Sequence, residues 1–170
     1  TPNMAAKIGG RAEHSSALRR WAFAPRASLG YRLGAADQLN AAYGIFYQTP
    51  ASVYLYDHPE LGFSQATHYV VNFTHNAGNR FFRAEAYYKR YRGLLRTDPV
   101  LATSGTGDAK GFEFFFRDKR TFTNLDYWVT YTYIDTKRQF LDYPELLKPT
   151  FAAPHTGTLA VKKFFPALST

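Results

Sequence analysis

The chain contains no cysteine, a single methionine and no long apolar run. Without cysteine it has no disulfide framework, no thiolate metal ligand and no cysteine nucleophile. No stretch approaches the roughly 18 consecutive apolar residues that identify a membrane-spanning helix. Charged residues are also few, at 20% against 45% hydrophobic residues, and this balance excludes disorder by composition. The 170 residues are enough for one domain with a core.

Aromatic residues and positive charge are what the sequence has in excess. Phe, Tyr and Trp make up 18% of the residues, and 21 Lys and Arg against 13 Asp and Glu give a net charge of +8. The rings indicate either an aromatic-rich β structure or a stacking surface for bases or sugars. The charge is compatible with nucleic acid, anionic lipid or lipopolysaccharide as a partner and does not choose among them.

Apolar and polar residues alternate with a period of two along most of the chain, and no segment of similar length shows a helical period. The alternation predicts an all-β protein, an antiparallel up-and-down meander of about eight long strands. These strands are expected near residues 4–13, 21–33, 38–48, 65–75, 82–89, 112–117, 124–133 and 155–165.

The connections between the predicted strands alternate between short and long. Short turns are expected at 34–37, 76–79 and 118–121, and long loops at the segments 14–20, 49–64, 92–110 and 138–154. Strands of about 9–11 residues with turns at one end and loops at the other are typical of membrane barrels, with the turns periplasmic and the loops outside.

The two faces of the predicted strands differ in the way that such a barrel requires. Phe82, Phe112 and their neighbours on one face are suited to lipid. The opposite face carries the charged residues that we expect to face the lumen, which are Arg83, Glu85, Glu113 and Arg117. Because Glu85 and Glu113 each have a cation two or four residues away on the same face, ion pairs are expected rather than acid–base chemistry.

No residue pattern predicts an enzyme or a metal site. The segment 105–111 (GTGDAKG) lacks the spacing of a phosphate-binding loop and is interpreted as a flexible loop that leads into a strand. The five histidines show no paired ligand spacing, and His68 and His75 should lie on opposite faces of one strand.

Three other structures remain compatible with these patterns. The first is a two-sheet sandwich with a Phe-rich core. The second is a soluble, lipocalin-like eight-stranded barrel that closes around a small apolar ligand. The third is a basic nucleic-acid-binding β protein, for which the segment 87–92 (YYKRYR) supplies rings and cations, with Tyr87, Lys89 and Tyr91 on one face.

Several segments resemble barrel strands of TonB-dependent outer-membrane receptors, over roughly residues 4 to 165. Their order and spacing carry the resemblance more than any single motif does. The segments are 23–32 (FAPRASLGYR), 42–50 (AYGIFYQTP), 79–91 (NRFFRAEAYYKRY), 105–113 (GTGDAKGFE), 126–138 (DYWVTYTYIDTKR), 154–159 (PHTGTL) and 161–165 (VKKFF).

The resemblance implies a barrel of about 22 strands with a plug inside it. Residues 1–170 would then be an interior part of that barrel, truncated at both ends, because no plug, energy-coupling box or closing strand is recognised. The resemblance further implies an outer membrane location in a Gram-negative bacterium, with lipid and lipopolysaccharide around the barrel. No cofactor, metal or nucleic acid is expected.

The resemblance also implies a function, which is the import of a scarce ligand by TonB-coupled active transport. The ligand would be a siderophore, cobalamin or a glycan, and the TonB complex would act through the missing plug. Specificity would reside in the plug and the outer loops. The loop residues expected to contact the ligand are Tyr54, Tyr56, Asp57, His58 and Glu60.

Overall fold

The structure is a computed structural model that describes residues 3–56, 58 and 60–165. It contains one sheet of eight antiparallel strands, and each strand pairs with its neighbours in sequence, in the order β1 to β8. The elements are β1 (Met4–Ser15), β2 (Arg20–Arg32), β3 (Asp37–Gln48), α1 (Ser52–Leu55), β4 (Ser64–Asn76), β5 (Arg80–Arg96), β6 (Ala102–Asp118), β7 (Leu125–Arg138) and β8 (His155–Lys163). The predicted meander of eight long strands is confirmed.

The connections sort to two ends of the sheet, with one difference from the prediction. Segments 33–36, 77–79 and 119–124 lie at one end, which we call the turn end. Segments 16–19, 49–63, 97–101 and 139–154 lie at the other, the loop end. The long loop predicted at 92–110 is wrong, because β5 and β6 extend through most of it and leave only 97–101 as the connection.

The glycines that suggested a flexible loop are part of β6 and have a packing role. Gly111 lies directly opposite Tyr87 on β5. A Cβ atom at Gly111 would lie 2.7 Å from the Tyr87 hydroxyl, so the ring covers a strand that has no side chain there. Gly93 has a φ of +63°, next to an irregularity in the β5–β6 register, and glycine adopts that conformation without strain.

One face of the sheet, here called the aromatic face, carries the exposed apolar residues. Register places every large hydrophobic residue that is exposed within a described strand on this side. Ile8 is 86% exposed, Trp21 72% and Leu159 67%. The full set is Met4, Ile8, Trp21, Phe23, Leu29, Tyr31, Leu39, Tyr43, Tyr69, Val71, Tyr88, Phe112, Leu159 and Val161. So large an apolar surface requires an apolar environment or a partner.

The opposite side, the polar face, carries most of the charged side chains of the strands. Arg83, Glu85, Glu113 and Arg117 share this face, and the alternation predicted for them is present in the β5–β6 register. His68 lies on the polar face and His75 on the aromatic face, as the spacing of seven predicts. On β1, Gly9 lies between Lys7 and Arg11 on this face, and a Cβ atom at Gly9 would meet nothing within 4 Å, so space is left above the backbone there.

The sheet is open, since β1 pairs only with β2 and β8 only with β7 among the described residues. A lipocalin-like barrel would require hydrogen bonds between β1 and β8. A sandwich would require a second sheet over the first, and the described strands form a single sheet. Both alternatives are therefore wrong for this fold.

Buried residues are few and several lie near the loop end. Leu61 is almost fully buried, and the backbone NH of Gly62 donates to the Thr103 hydroxyl at 2.9 Å, which fixes the end of segment 49–63 against β6. The hydroxyl of Ser64 donates to the Gly93 carbonyl at 2.8 Å. In the described part of the chain, no helix has the length and apolar character to span a membrane.

The packing of Tyr87 on Gly111 predicts a position-specific effect of a single methyl group. We expect Gly111→Ala to lower the free energy of unfolding by roughly 1–3 kcal/mol, because the added Cβ displaces the Tyr87 ring or the backbone of β7. Gly9→Ala is the matched control, since a Cβ at Gly9 meets nothing within 4 Å. Urea unfolding curves of the two variants measure the difference, and equal losses at both positions would contradict this packing.

Candidate functional site

Two carboxylates face each other across β5 and β6 on the polar face. Glu85 and Glu113 are directly opposite in the register, and directly opposite side chains have Cβ atoms about 4.5–5.5 Å apart. Arg83 forms an ion pair with Glu85. Glu113 forms no ion pair within the described residues. Among the described residues, one of the two carboxylates is therefore paired with a cation and the other is not.

Arg117 pairs with a carboxylate on the next strand instead of with Glu113. Its Nε and Nη2 atoms donate to the two carboxylate oxygens of Asp126 at 2.9 and 2.5 Å. Glu113 is four residues from Arg117, or about 13 Å along an extended strand, whereas Asp126 is a diagonal neighbour on β7. The ion pair expected for Arg117 and Glu113 is wrong for that reason.

A basic depression occupies the polar face of β1–β4. It has a volume of about 470 Å³, and its lining includes the small residues Gly9 and Gly44. The Arg26 guanidinium lies 4.6 Å from the centre of the Phe46 ring, and that ring lies 4.5 Å from the His68 ring. Lys7 and Arg11 complete the basic lining. The sequence patterns did not identify Lys7 and Arg11 as members of a site.

The predicted ligand contacts of segment 49–63 lie at the loop end, near α1. Tyr56 is 90% exposed and Tyr54 is half-buried. The ring of His58 contacts the Glu60 carboxylate at 2.8 Å. Hydrogen bonds from the Glu60 backbone NH and from His58 hold the pKa of this carboxyl below its usual value. Asp57 lies outside the described residues.

A second group of rings at the loop end was missed by the sequence patterns. The Arg138 guanidinium lies 4.4 Å from the centre of the Tyr91 ring and 5.8 Å from that of Phe151. Phe140 packs against Tyr143 and Phe151, at centroid distances of 4.9 and 6.4 Å. We call this group the Arg138 cluster. Segment 139–154 brings its rings over the end of the polar face. The aromatic content of that segment is the only sequence signal that could have indicated the cluster.

The same contacts argue against a stacking surface for nucleic acid. Tyr87 is buried against Gly111, and Lys89 Nζ lies 4.6 Å from the centre of its ring. Arg138 covers the Tyr91 ring. Stacked bases need the open face of a ring, and side chains of this chain already contact both of these rings.

The described side chains offer no metal centre, since they include no group of three or more His, Asp or Glu residues that could hold a metal ion. The candidate functional features described above are two surfaces. One is the polar face, with its opposed carboxylates and basic depression, and the other is the loop end, with segment 49–63 and the Arg138 cluster.

Comparison with known proteins connects this arrangement to one family. The family model described as TonB dependent receptor-like, beta-barrel matches residues 1–167. No curated protein matches the chain.

Solved structures of such receptors share the fold. Two are variants of the FrpB iron transporter from Neisseria meningitidis. The F3-3 variant has a TM-score of 0.73 at 14% identity. The F5-1 variant, in its apoprotein form, has a TM-score of 0.75 at 12% identity. Each match covers 98% of this chain and 29% of that one.

The ferric citrate transporter FecA in its unliganded form has a TM-score of 0.73 at 14% identity, and the match covers 94% of this chain and 28% of FecA. The chain thus spans less than a third of the length of the receptors that it resembles in structure. The eight-strand meander, the segregation of its faces and the family match over almost the whole chain lead to one conclusion. The chain belongs to the TonB-dependent receptor-like β-barrel family, whose members are transporters of the Gram-negative outer membrane and not enzymes.

Proposed function

We propose that the chain forms about a third of the wall of a receptor that imports a scarce ligand across the outer membrane by TonB-coupled active transport. The observation that carries the proposal is the segregation of the two faces. All the exposed large hydrophobic residues of the described strands lie on the aromatic face, and the Arg83–Glu85 and Arg117–Asp126 pairs lie on the polar face. The aromatic face would contact lipid and the polar face would line a watered lumen.

The opposed carboxylates support a lumen that holds another part of the receptor. Like charges directly opposite one another on adjacent strands are destabilising unless a cation lies between them. Arg83 neutralises one of the two charges. A basic side chain of the plug would neutralise Glu113, and the plug would connect the wall to the TonB complex in the periplasm. Arg83, Glu85, Glu113 and Arg117 are lumen-facing residues in this proposal.

Ligand contacts belong to the loop end in this proposal. Tyr54, Tyr56, His58 and Glu60 lie in segment 49–63, and the Arg138 cluster lies at the same end of the sheet. Siderophores, cobalamin and glycans are the ligand classes considered. The structural neighbours include an iron transporter and a ferric citrate transporter, and the guanidinium of Arg138 favours an anionic ferric chelate among these classes.

Uptake by a deletion strain tests the transport function. We expect loss of the full-length receptor to abolish growth on one ferric chelate while growth on inorganic iron is unchanged. Restoring the receptor with Arg138→Ala should reduce uptake of that radiolabelled chelate roughly tenfold, as removal of a charge-assisted contact implies. Arg120→Ala, at the exposed turn end, is the matched control and should leave uptake unchanged.

The proposal fails if the deletion strain grows normally on every ferric chelate, on cobalamin and on glycans. If cobalamin or a glycan is the only nutrient lost, the transport function stands and the ferric class is wrong.

The orientation of the wall can be tested separately from uptake. We expect the loop end to be outside, because segments 49–63 and 139–154 are the longest connections and outer loops are longer than periplasmic turns. Cysteine introduced as Glu145→Cys should react with a membrane-impermeant maleimide on intact cells, whereas Asn79→Cys should react only after lysis. Labelling of Asn79→Cys alone on intact cells would reverse the orientation.

A further inference from the structure

Four charged side chains lie on the aromatic face at its turn end. Register places Asp37 opposite His75 across β3 and β4, and Arg80 opposite Asp118 across β5 and β6. Each of the four is two residues, or about 7 Å along its strand, from an apolar side chain of the aromatic face. We call these four residues the turn-end charge cluster.

A band of rings borders the cluster on the side toward the middle of the sheet. The centres of the Phe73 and Phe82 rings are 6.1 Å apart, and those of Phe116 and Tyr127 are 6.2 Å apart. Aromatic bands of a membrane barrel lie at the level of the lipid headgroups. The cluster is further from the middle of the sheet than this band, so it lies among headgroups and not in the hydrocarbon.

Two ion pairs hold the cluster together. The Nδ1 atom of His75 lies 2.7 Å from Oδ1 of Asp37, and the two side chains are 38% and 37% exposed. The Nε atom of Arg80 donates to Oδ2 of Asp118 at 2.8 Å. Backbone NH groups of the turn that follows also donate to this carboxylate, which is almost fully buried. With His75 charged, the cluster carries as many positive as negative charges.

Each pair leaves hydrogen-bonding atoms unused. Arg80 donates through Nε and Nη2 to Asp118 and Thr121, whereas its Nη1 forms no hydrogen bond with a described residue, and its side chain is 46% exposed. His75 contacts Asp37 through Nδ1 and keeps Nε2, and Asp37 keeps Oδ2. The unused atoms are thus donors of two cationic side chains and one carboxylate oxygen.

The spacing of these atoms suits a ligand that carries both charges. His75 lies directly opposite Phe82, and Arg80 is therefore its diagonal neighbour on β5, at about 7–8 Å. Asp37 lies on the other side of His75, on β3. The cluster therefore presents a carboxylate, an imidazole and a guanidinium in that order across three neighbouring strands.

We propose that the turn-end charge cluster binds the phosphoethanolamine headgroup of a phospholipid in the periplasmic leaflet. The inference rests on the proposed function, because that function places the aromatic face in lipid and the turn end inside. The headgroup carries a phosphate and an ammonium on a short linker, and its net charge is zero, as is that of the cluster. Arg80 Nη1 and His75 Nε2 donate to the phosphate, and Asp37 Oδ2 accepts from the ammonium.

The ammonium contact makes the site selective among phospholipids. A glycerol headgroup has the phosphate and lacks a positive charge to place beside Asp37. A choline headgroup has the positive charge, but its nitrogen carries no hydrogen to donate. Both should therefore bind more weakly than phosphoethanolamine.

Titration of lipids that differ only in their headgroup tests the inference on the full-length receptor in detergent. The probes are phosphatidylethanolamine, phosphatidylglycerol and phosphatidylcholine with identical acyl chains and a fluorophore on one chain. We expect the Kd for phosphatidylethanolamine to be roughly tenfold lower than the other two values, since it makes one more hydrogen bond between charged groups.

Two variants separate the ammonium contact from the phosphate contact. Asp37→Asn should remove the preference by raising the Kd for phosphatidylethanolamine to that for phosphatidylglycerol. Arg80→Gln should weaken all three lipids by a similar factor, because it removes a donor to the phosphate. Asp135→Asn is the matched control, since Asp135 pairs with Lys110 near the loop end of the same face, and it should leave all three Kd values unchanged.

The inference is overturned if the unsubstituted receptor binds phosphatidylethanolamine and phosphatidylglycerol equally, or if the preference survives Asp37→Asn. Absence of a preference in a receptor that imports its ligand leaves the transport proposal standing. A preference that depends on Asp37, in a receptor whose deletion strain grows normally on every nutrient, supports the headgroup site and overturns transport.

Discussion

Everything in this structure depends on an antiparallel register in which a residue and its partner share a face, and which runs without a shift on β5 from Arg80 to Arg92. Because each of the eight strands pairs with its neighbour in sequence, the face of one side chain fixes the face of all the others. A slip of one residue in any strand would turn its aromatic side chains toward the ion pairs on the other side. The register prevents this, and Tyr43, Tyr69 and Tyr88 consequently line up across β3, β4 and β5 on the aromatic face.

The period of two was enough to predict the strands, their order and the two faces. Close packing was not visible in the sequence. Glycines normally indicate turns, so the segment 105–111 was interpreted as a loop, yet Gly111 is required where Tyr87 covers the backbone. Partner choice was also hidden, because spacing along one strand suggested Glu113 for Arg117, whereas the diagonal contact across strands selects Asp126. The Arg138 cluster depends on how segment 139–154 folds back, which no local pattern encodes.

The sheet buries few of its own side chains, because it is a single layer. Most of the burial that would stabilise it must therefore come from its surroundings. Ala24, Leu61 and Ala109 are among its few buried apolar residues, while Ile8 and Trp21 remain largely exposed. Lipid on one side, lumen contents on the other and neighbouring strands at β1 and β8 would supply the burial that the chain lacks. The faces match this arrangement, because the Arg83–Glu85 and Arg117–Asp126 ion pairs lie on the polar face and exposed rings cover much of the aromatic face.

Lipid contact by the aromatic face is the central claim, and adjacent residues of β6 allow its most direct test. Phe114 and Phe115 are neighbours at nearly the same height, on the aromatic and polar faces respectively. The full-length receptor carrying Phe114→Trp or Phe115→Trp would be reconstituted into vesicles of brominated phospholipid, and its fluorescence compared with that of the unsubstituted receptor. We expect the emission added by Phe114→Trp to be strongly quenched and that added by Phe115→Trp to persist. Equal quenching of the two, or quenching of Phe115→Trp alone, would contradict the assignment of the faces.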